Sequence, residues 1–137
     1  MQHITKVDDT LWALISRLQG QRLQTPSNKA TFSVTAVDTD RVVIETGANN
    51  TQIALTLDAF QQTLDYLVSN RHFGQANAVE IRSSRDIANE GPLSEASRRN
   101  SAGQLGPVNI TYILPILARC QVVGIQPTIP TSTWLLP

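Results

Sequence analysis

Three short β-like runs in the first half of the chain constrain its fold more than any other feature. Thr31 to Val37 alternates apolar and polar side chains, and the runs Arg41 to Thr46 and Thr51 to Leu55 follow it. A period of two is typical of strands that bury one face. The connections Asp38-Thr39-Asp40 and Gly47-Ala48-Asn49-Asn50 are rich in residues that favour turns. The sequence therefore predicts a three-stranded antiparallel meander.

A helix is predicted directly after the meander, over residues 57–69. Thr56 or Asp58 can cap its first turn, where a side-chain oxygen or a negative charge is favourable. Its apolar stripe consists of Leu57, Phe60, Leu64, Leu67 and Val68. We expect this stripe to lie across the inner face of the sheet.

A shorter amphipathic helix is predicted near the start of the chain, over residues 8–19, with Asp8 or Asp9 as its cap. Residues 20–30 then predict a loop, because Pro26 disfavours helix before it and Ser and Asn follow it.

Two further helices are predicted in the last third of the chain. Ser94 is the expected cap of a short polar helix. Asn109 or Thr111 can cap an apolar helix that runs to Arg119. A buried strand broken at Pro115 is an alternative that the β-branched residues leave open.

Short β-like runs complete the pattern. Residues 78–83 predict a strand, and Val122 to Gln126 and Thr131 to Leu135 predict a hairpin around the Pro127–Pro130 loop. In the order of its elements, the stretch 91–135 resembles a winged-helix module. That resemblance implies a DNA-binding function.

These elements predict one α+β domain over residues 1–137, in which 31–83 and 91–136 share a core. A chain of 137 residues with 41% hydrophobic residues is long enough and apolar enough for this. Cys120 is the single cysteine, so no internal disulfide can form. We expect no membrane partner and a cytoplasmic location, because no signal-like or membrane-spanning run occurs.

Signatures of catalysis are sparse. His3 and His72 are the only histidines, and neither has metal ligands at a suitable spacing, so we expect no metal, no cofactor and no assignable catalytic residue. Glu80-Ile81-Arg82, with Asp65 upstream, is weakly similar to the acid-x-lysine element of metal-dependent nucleases. Here arginine replaces the lysine, and arginine cannot lose its proton to act as a base. A small hydrolase or nuclease-like enzyme is therefore the second alternative.

A cluster of arginines favours a binding function. Residues 82–101 contain four arginines against Asp86, Glu90 and Glu95, which gives a local charge of +1 in a chain of net charge zero. Arginine, serine and asparagine are suited to phosphate and base contacts. The predicted nucleic-acid-binding residues are Arg82, Arg85, Arg98, Arg99, Asn100 and Ser101. Arg98 and Arg99 can instead serve only to complement the C-terminus of their helix.

The first hypothesis is thus a non-enzymatic binding protein, nucleic-acid-associated or regulatory, with DNA as the expected partner. The alternative is a protein–protein interaction or oligomer subunit module, in which Trp12 or Trp134 anchors the interface.

Overall fold

The computed structural model describes residues 3–47, 50–83, 88–99 and 102–137, and these form an α+β fold with two antiparallel sheets. In chain order the elements are α1 (Asp9–Ser16), β1 (Arg22–Gln24), β2 (Thr31–Val37), β3 (Arg41–Thr46), β4 (Thr51–Thr56), α2 (Leu57–Ser69), a short 3-10 helix (Gln75–Asn77), β5 (Val79–Glu80), α3 (Pro92–Arg98), α4 (Ile110–Arg119), β6 (Val123–Gln126) and β7 (Ser132–Leu135). The predicted α+β class is confirmed.

The first sheet has the strand order β1-β2-β3-β4. The three predicted strands are present, and their alternation places Phe32, Val42 and Leu55 on a buried face. The loop prediction for residues 20–30 is wrong in one part, because β1 lies within it. Leu23 is opposite Phe32, and both side chains are buried. Burial of Leu23 favours the pairing of this otherwise polar segment with β2 as an edge strand.

Helix α2 begins and ends at the predicted residues, and the Thr56 hydroxyl accepts from the backbone N–H of Ala59. Its buried face packs Phe60, Leu64 and Leu67 into the core. At α1 the cap is Asp8, whose carboxylate accepts from the backbone N–H of Leu11.

Helix α4 lies in the centre of the core. It resolves the alternative for residues 109–119 in favour of a helix that begins after Asn109 and contains Pro115. Its buried residues are Ile110, Ile113, Leu114, Pro115, Ile116 and Leu117. A helix that reads a DNA groove presents a polar, accessible face. The winged-helix resemblance is therefore not confirmed.

Helix α3 starts earlier than the sequence predicts. Gly91 is the N-cap and Pro92 the first helical residue, a position that suits proline because its fixed φ is helical and its missing N–H is not needed. The predicted Ser94 cap is wrong. The Ser94 side chain is buried inside the helix and its hydroxyl donates to Glu90 at 2.6 Å.

The second sheet has the order β5-β7-β6. The predicted hairpin of β6 and β7 is present, but β5 pairs with the other edge of β7, so the hairpin is part of a three-stranded sheet. Gly124 lies under the Trp134 ring, where a Cβ atom would approach the ring carbons to 2.4 Å. Within the described ranges, no helix has the length and apolarity needed to cross a membrane.

Candidate functional site

The structure divides the predicted nucleic-acid-binding residues into three groups. Arg85, Asn100 and Ser101 lie outside the described residues. Arg82 is exposed just after β5, and Arg99 is partly exposed directly after α3. Arg98 is buried. The three arginines that are described therefore differ in what they can contact.

Arg98 forms a buried ion pair with Glu90. Its Nε and Nη2 atoms donate to the two carboxylate oxygens at 2.8 and 2.7 Å, and Nη1 donates to the backbone oxygen of Gly106 at 2.9 Å. The side chains are 8% and 1% exposed, respectively. Such a bidentate pair is geometrically specific, and the third bond ties it to the loop before α4. Arg98 is thus committed to the interior and cannot serve as a free phosphate ligand.

Burial raises the pKa of the Glu90 carboxyl. The hydrogen bonds from Arg98 and Ser94, together with the charges of Arg98 and Arg99, outweigh burial and hold the pKa below its usual value. The hydrogen bond to Glu90 in turn raises the pKa of Arg98. Both groups therefore carry their full charge near neutral pH.

Because the folded pKa of Glu90 lies below the value in the unfolded chain, the pair stabilises the protein above about pH 4.3, the usual value for a glutamate. This contribution is lost as the pH falls through the folded pKa. We expect the difference in unfolding free energy between the wild type and Glu90→Gln to be largest near neutral pH and to shrink below about pH 4. Urea unfolding of both proteins over a pH series measures it, and a difference that stays constant with pH would contradict this assignment.

A second polar network lies beside the ion pair. The Ser97 hydroxyl is 2.9 Å from both the Ser94 backbone oxygen and Asn109 Oδ1, and the Asn109 amide donates back to the Ser97 backbone oxygen. In the part of the chain that the structure describes, every buried side-chain nitrogen or oxygen has a hydrogen-bond partner. These contacts fix the end of α3 against the start of α4.

Two backbone hydrogen bonds join the ends of α3 to neighbouring loops. The Gly91 N–H donates to the Arg82 backbone oxygen at 2.9 Å, and the Gly106 N–H donates to the Arg98 backbone oxygen at 2.7 Å. A Cβ atom at Gly91 would come within 2.9 Å of the Arg82 Cβ, so the first of these bonds requires glycine there. Arg82 and Arg99 are thus held at the two ends of α3.

Arg99 stays partly accessible. Its guanidinium pairs with Glu95 and donates to the backbone oxygen of Gly103, and the Arg99 and Glu95 side chains are 41% and 39% exposed. An exposed pair of this kind contributes only about 0–1 kcal/mol. Arg99 can therefore exchange this partner for a phosphate at little cost.

Cavities flank the Arg98 side chain. One, of about 210 Å³, is lined by Asp58, Gln62 and Arg99 among others. Another, of about 450 Å³, is lined by Ser83 and Tyr112 among others. Among the described residues, Asp58 is the acidic residue of the first cavity, and the second is lined by no aspartate or glutamate. The surface around Arg98 is therefore concave, and its lining is more apolar than polar.

Both tryptophans have partners within the chain. Trp12 Nε1 donates to the Asp38 backbone oxygen at 2.8 Å, and its ring meets the Phe60 ring edge-on at 5.8 Å. Trp134 covers Gly124. Both side chains are partly exposed, so the prediction that they anchor an interface stays a prediction.

The residues considered for catalysis are dispersed. His3 Nδ1 and His72 Nδ1 each lie 2.8 Å from a backbone oxygen, and Asp65 accepts from Gln61 on α2. Burial raises the pKa of the Cys120 thiol to about 11, which keeps it protonated near neutral pH. Among the residues described, no three His, Cys, Asp or Glu side chains lie close enough to hold a metal ion.

Comparison with protein-family models, with curated proteins and with solved structures finds no match for this chain.

Proposed function

We propose that the chain is a non-enzymatic binding module that contacts duplex DNA through Arg82 and Arg99. The observation that carries this proposal is the placement of the two arginines at opposite ends of α3, next to the backbone hydrogen bonds that fix them. A helix of this length spans roughly 10 Å at 1.5 Å per residue. The backbone positions of the two arginines are therefore separated by about the length of this helix, which is shorter than one turn of a duplex.

The chemistry of the two arginines suits phosphate. Guanidinium groups bind phosphate oxygens with two parallel N–H donors and keep their charge at any working pH. Arg82 is exposed, and Arg99 is bound by an exposed carboxylate that phosphate can displace. Arg98 stabilises the surrounding backbone through its hydrogen bonds to Glu90 and to the Gly106 backbone oxygen.

The charge balance supports weak, salt-dependent binding. The buried pair Glu90–Arg98 contributes no net charge, so residues 82–101 keep three arginines against two acids, a balance of +1. Because the whole chain is neutral, we expect sequence-independent affinity in the range of about 10⁻⁴ to 10⁻⁶ M. Arg85, Asn100 and Ser101 stay part of the hypothesis on the sequence alone.

Titration of a fluorescent random-sequence duplex with the protein, at salt from low to physiological, tests the proposal. We expect log K to fall linearly with log salt concentration. The Arg82→Ala/Arg99→Ala double variant should bind weakly, and its slope should be shallower by about 2. Both side chains lie at the surface, so circular dichroism should show an unchanged fold.

The matched control is Arg17→Ala/Arg71→Ala, which removes two exposed arginines outside this site and the same total charge. It should retain most of the affinity. Equal losses in the two double variants would mean that overall charge, and not this site, attracts DNA. No binding by the wild type at low salt would overturn the proposal and favour the protein–protein alternative.

A further inference from the structure

A second concave surface lies between the two sheets. It is a groove of about 520 Å³ that is bordered by the end of β1, by β6 and by the last turn of α4. It shares no lining residue with the cavities around Arg98. Gln24, Ile125 and Arg119 are among the residues that line it.

The groove is bordered by two edge strands. β1 ends the first sheet and β6 ends the second, so each pairs with a neighbour on one side only. Backbone groups in an antiparallel strand point alternately to the paired neighbour and away from it. The Thr25 N–H donates to Ala30, which is on the β2 side. The backbone groups of Gln24 therefore point to the open edge.

The same alternation applies to β6. The Leu136 N–H donates to the Val122 oxygen, so Val122 faces its partner strand and the backbone groups of Val123 and Ile125 point away from it. Val123 is buried and Ile125 is partly exposed, so the accessible part of this edge is at Ile125. The sequence of β6, Val-Gly-Ile-Gln, carries no charge. Edge strands are usually protected from pairing by charged residues, proline or a covering segment. An uncharged open edge beside a groove is suited to pairing with another chain.

The charged residue that lines the groove is basic. Arg119 is exposed, and its Nη1 donates to the side-chain oxygen of Gln21 at 2.9 Å. All the lining residues are described, and none of them is an aspartate or a glutamate. The groove therefore complements a carboxylate.

Part of the groove wall has a restricted backbone. Pro26, Pro115 and Pro127 line it, and proline has a fixed φ. A surface that is already in its binding conformation loses little entropy when a ligand docks.

We propose that this groove binds an extended acidic peptide segment of a partner protein. The segment adds as a strand to the open edge of β6 and sets a carboxylate against Arg119. In this mode main-chain hydrogen bonds supply affinity and the side-chain contact supplies selectivity. The surface is distinct from the proposed DNA contact, so one can fail while the other holds.

A phage-displayed library of random linear peptides, selected on the wild-type protein, tests the proposal without assuming a sequence. We expect enrichment of peptides that contain Asp or Glu within a β-prone run. A synthetic, fluorescein-labelled copy of an enriched peptide should bind in solution. N-methylation at alternate backbone nitrogens should abolish binding for one alternate set and spare the other, because only one edge of a strand pairs.

Arg119→Ala should weaken binding of that peptide by about tenfold or more, which is the size expected for a hydrogen bond to a charged group. Exchanging the acidic residue of the peptide for Gln or Asn should weaken its binding to the wild type by the same factor. The same exchange should not weaken its binding to Arg119→Ala any further. Arg71→Ala, another exposed arginine, is the control and should bind like the wild type.

Three outcomes would overturn the proposal. One is a selection without enrichment. Another is a peptide whose affinity is indifferent to Arg119→Ala and to both sets of N-methyl groups. The third is sedimentation evidence that a second copy of this chain occupies the groove and that Ile125→Pro, which removes the outward N–H, abolishes that dimer. None of these outcomes bears on DNA binding by Arg82 and Arg99.

Discussion

Replacing Arg98 with alanine is expected to lower the free energy of unfolding by about 3–5 kcal/mol, because it leaves the Glu90 carboxylate buried without its partner. The loss is large since Glu90 is almost inaccessible to water, which could otherwise solvate it. The bond from Arg98 to the Gly106 oxygen is lost as well. Urea unfolding followed by circular dichroism measures the effect.

Arg99→Ala is the matched control for this prediction. It removes an adjacent arginine whose carboxylate partner, Glu95, is exposed, so it should cost only about 0–1 kcal/mol. The double variant Glu90→Leu/Arg98→Met should be more stable than Arg98→Ala, because it removes both charges together. Equal costs for Arg98→Ala and Arg99→Ala would show that the Glu90–Arg98 pair is not isolated from solvent.

Phe60→Ala is expected to destabilise the protein by about 3–5 kcal/mol as well. Phe60 is fully buried on the inner face of α2 and supports the ring of Trp12 edge-on. Removal of the ring loses its burial and leaves a cavity that a core of two sheets and packed helices cannot easily close. Thermal and urea unfolding give the size of the loss.

The comparison for this variant is Phe73→Ala. Phe73 is partly exposed and its ring contacts His3 at 4.5 Å, so less surface returns to water on truncation. Its cost should be clearly smaller than that of Phe60→Ala. A Phe60→Ala protein as stable as Phe73→Ala would mean that α2 does not pack on the sheet in the way described.

The elements that the sequence predicted well are those whose signal is local. β2 and β3 have the predicted bounds, because the alternation of β2, the β-branched residues of β3 and the turn residues between them specify strands locally. Helix α2 likewise follows from its own cap and apolar stripe. Residues 109–119 are ambiguous in the sequence, since β-branched residues and Pro115 oppose a helix that burial of Ile110 and of Ile113 to Leu117 then stabilises.

The candidate site was predicted less well. The sequence identified Arg82, Arg98 and Arg99 as a cluster but not the burial of Arg98. Glu90 precedes α3 and Arg98 is its last residue, so the two are eight residues apart and no helical spacing rule joins them. The contact between Ser97 and Asn109 gave no sequence signal, because it depends on how α3 meets α4. The position of Ser94 inside the helix follows from Pro92, whose preference for the first turn was visible in the sequence.

The sequence by itself determined the α+β class, the meander and helix α2, because these depend on the period of apolar residues and on caps and turns within a few positions. Only the tertiary structure decided that β1 joins the first sheet, that β5 pairs with β7, and that Arg98 is buried while Arg99 stays at the surface. Each of these outcomes depends on the free energy of contacts between residues far apart in the chain. Such contacts form only when the whole core has been assembled, so neighbouring residues in the sequence carry no record of them.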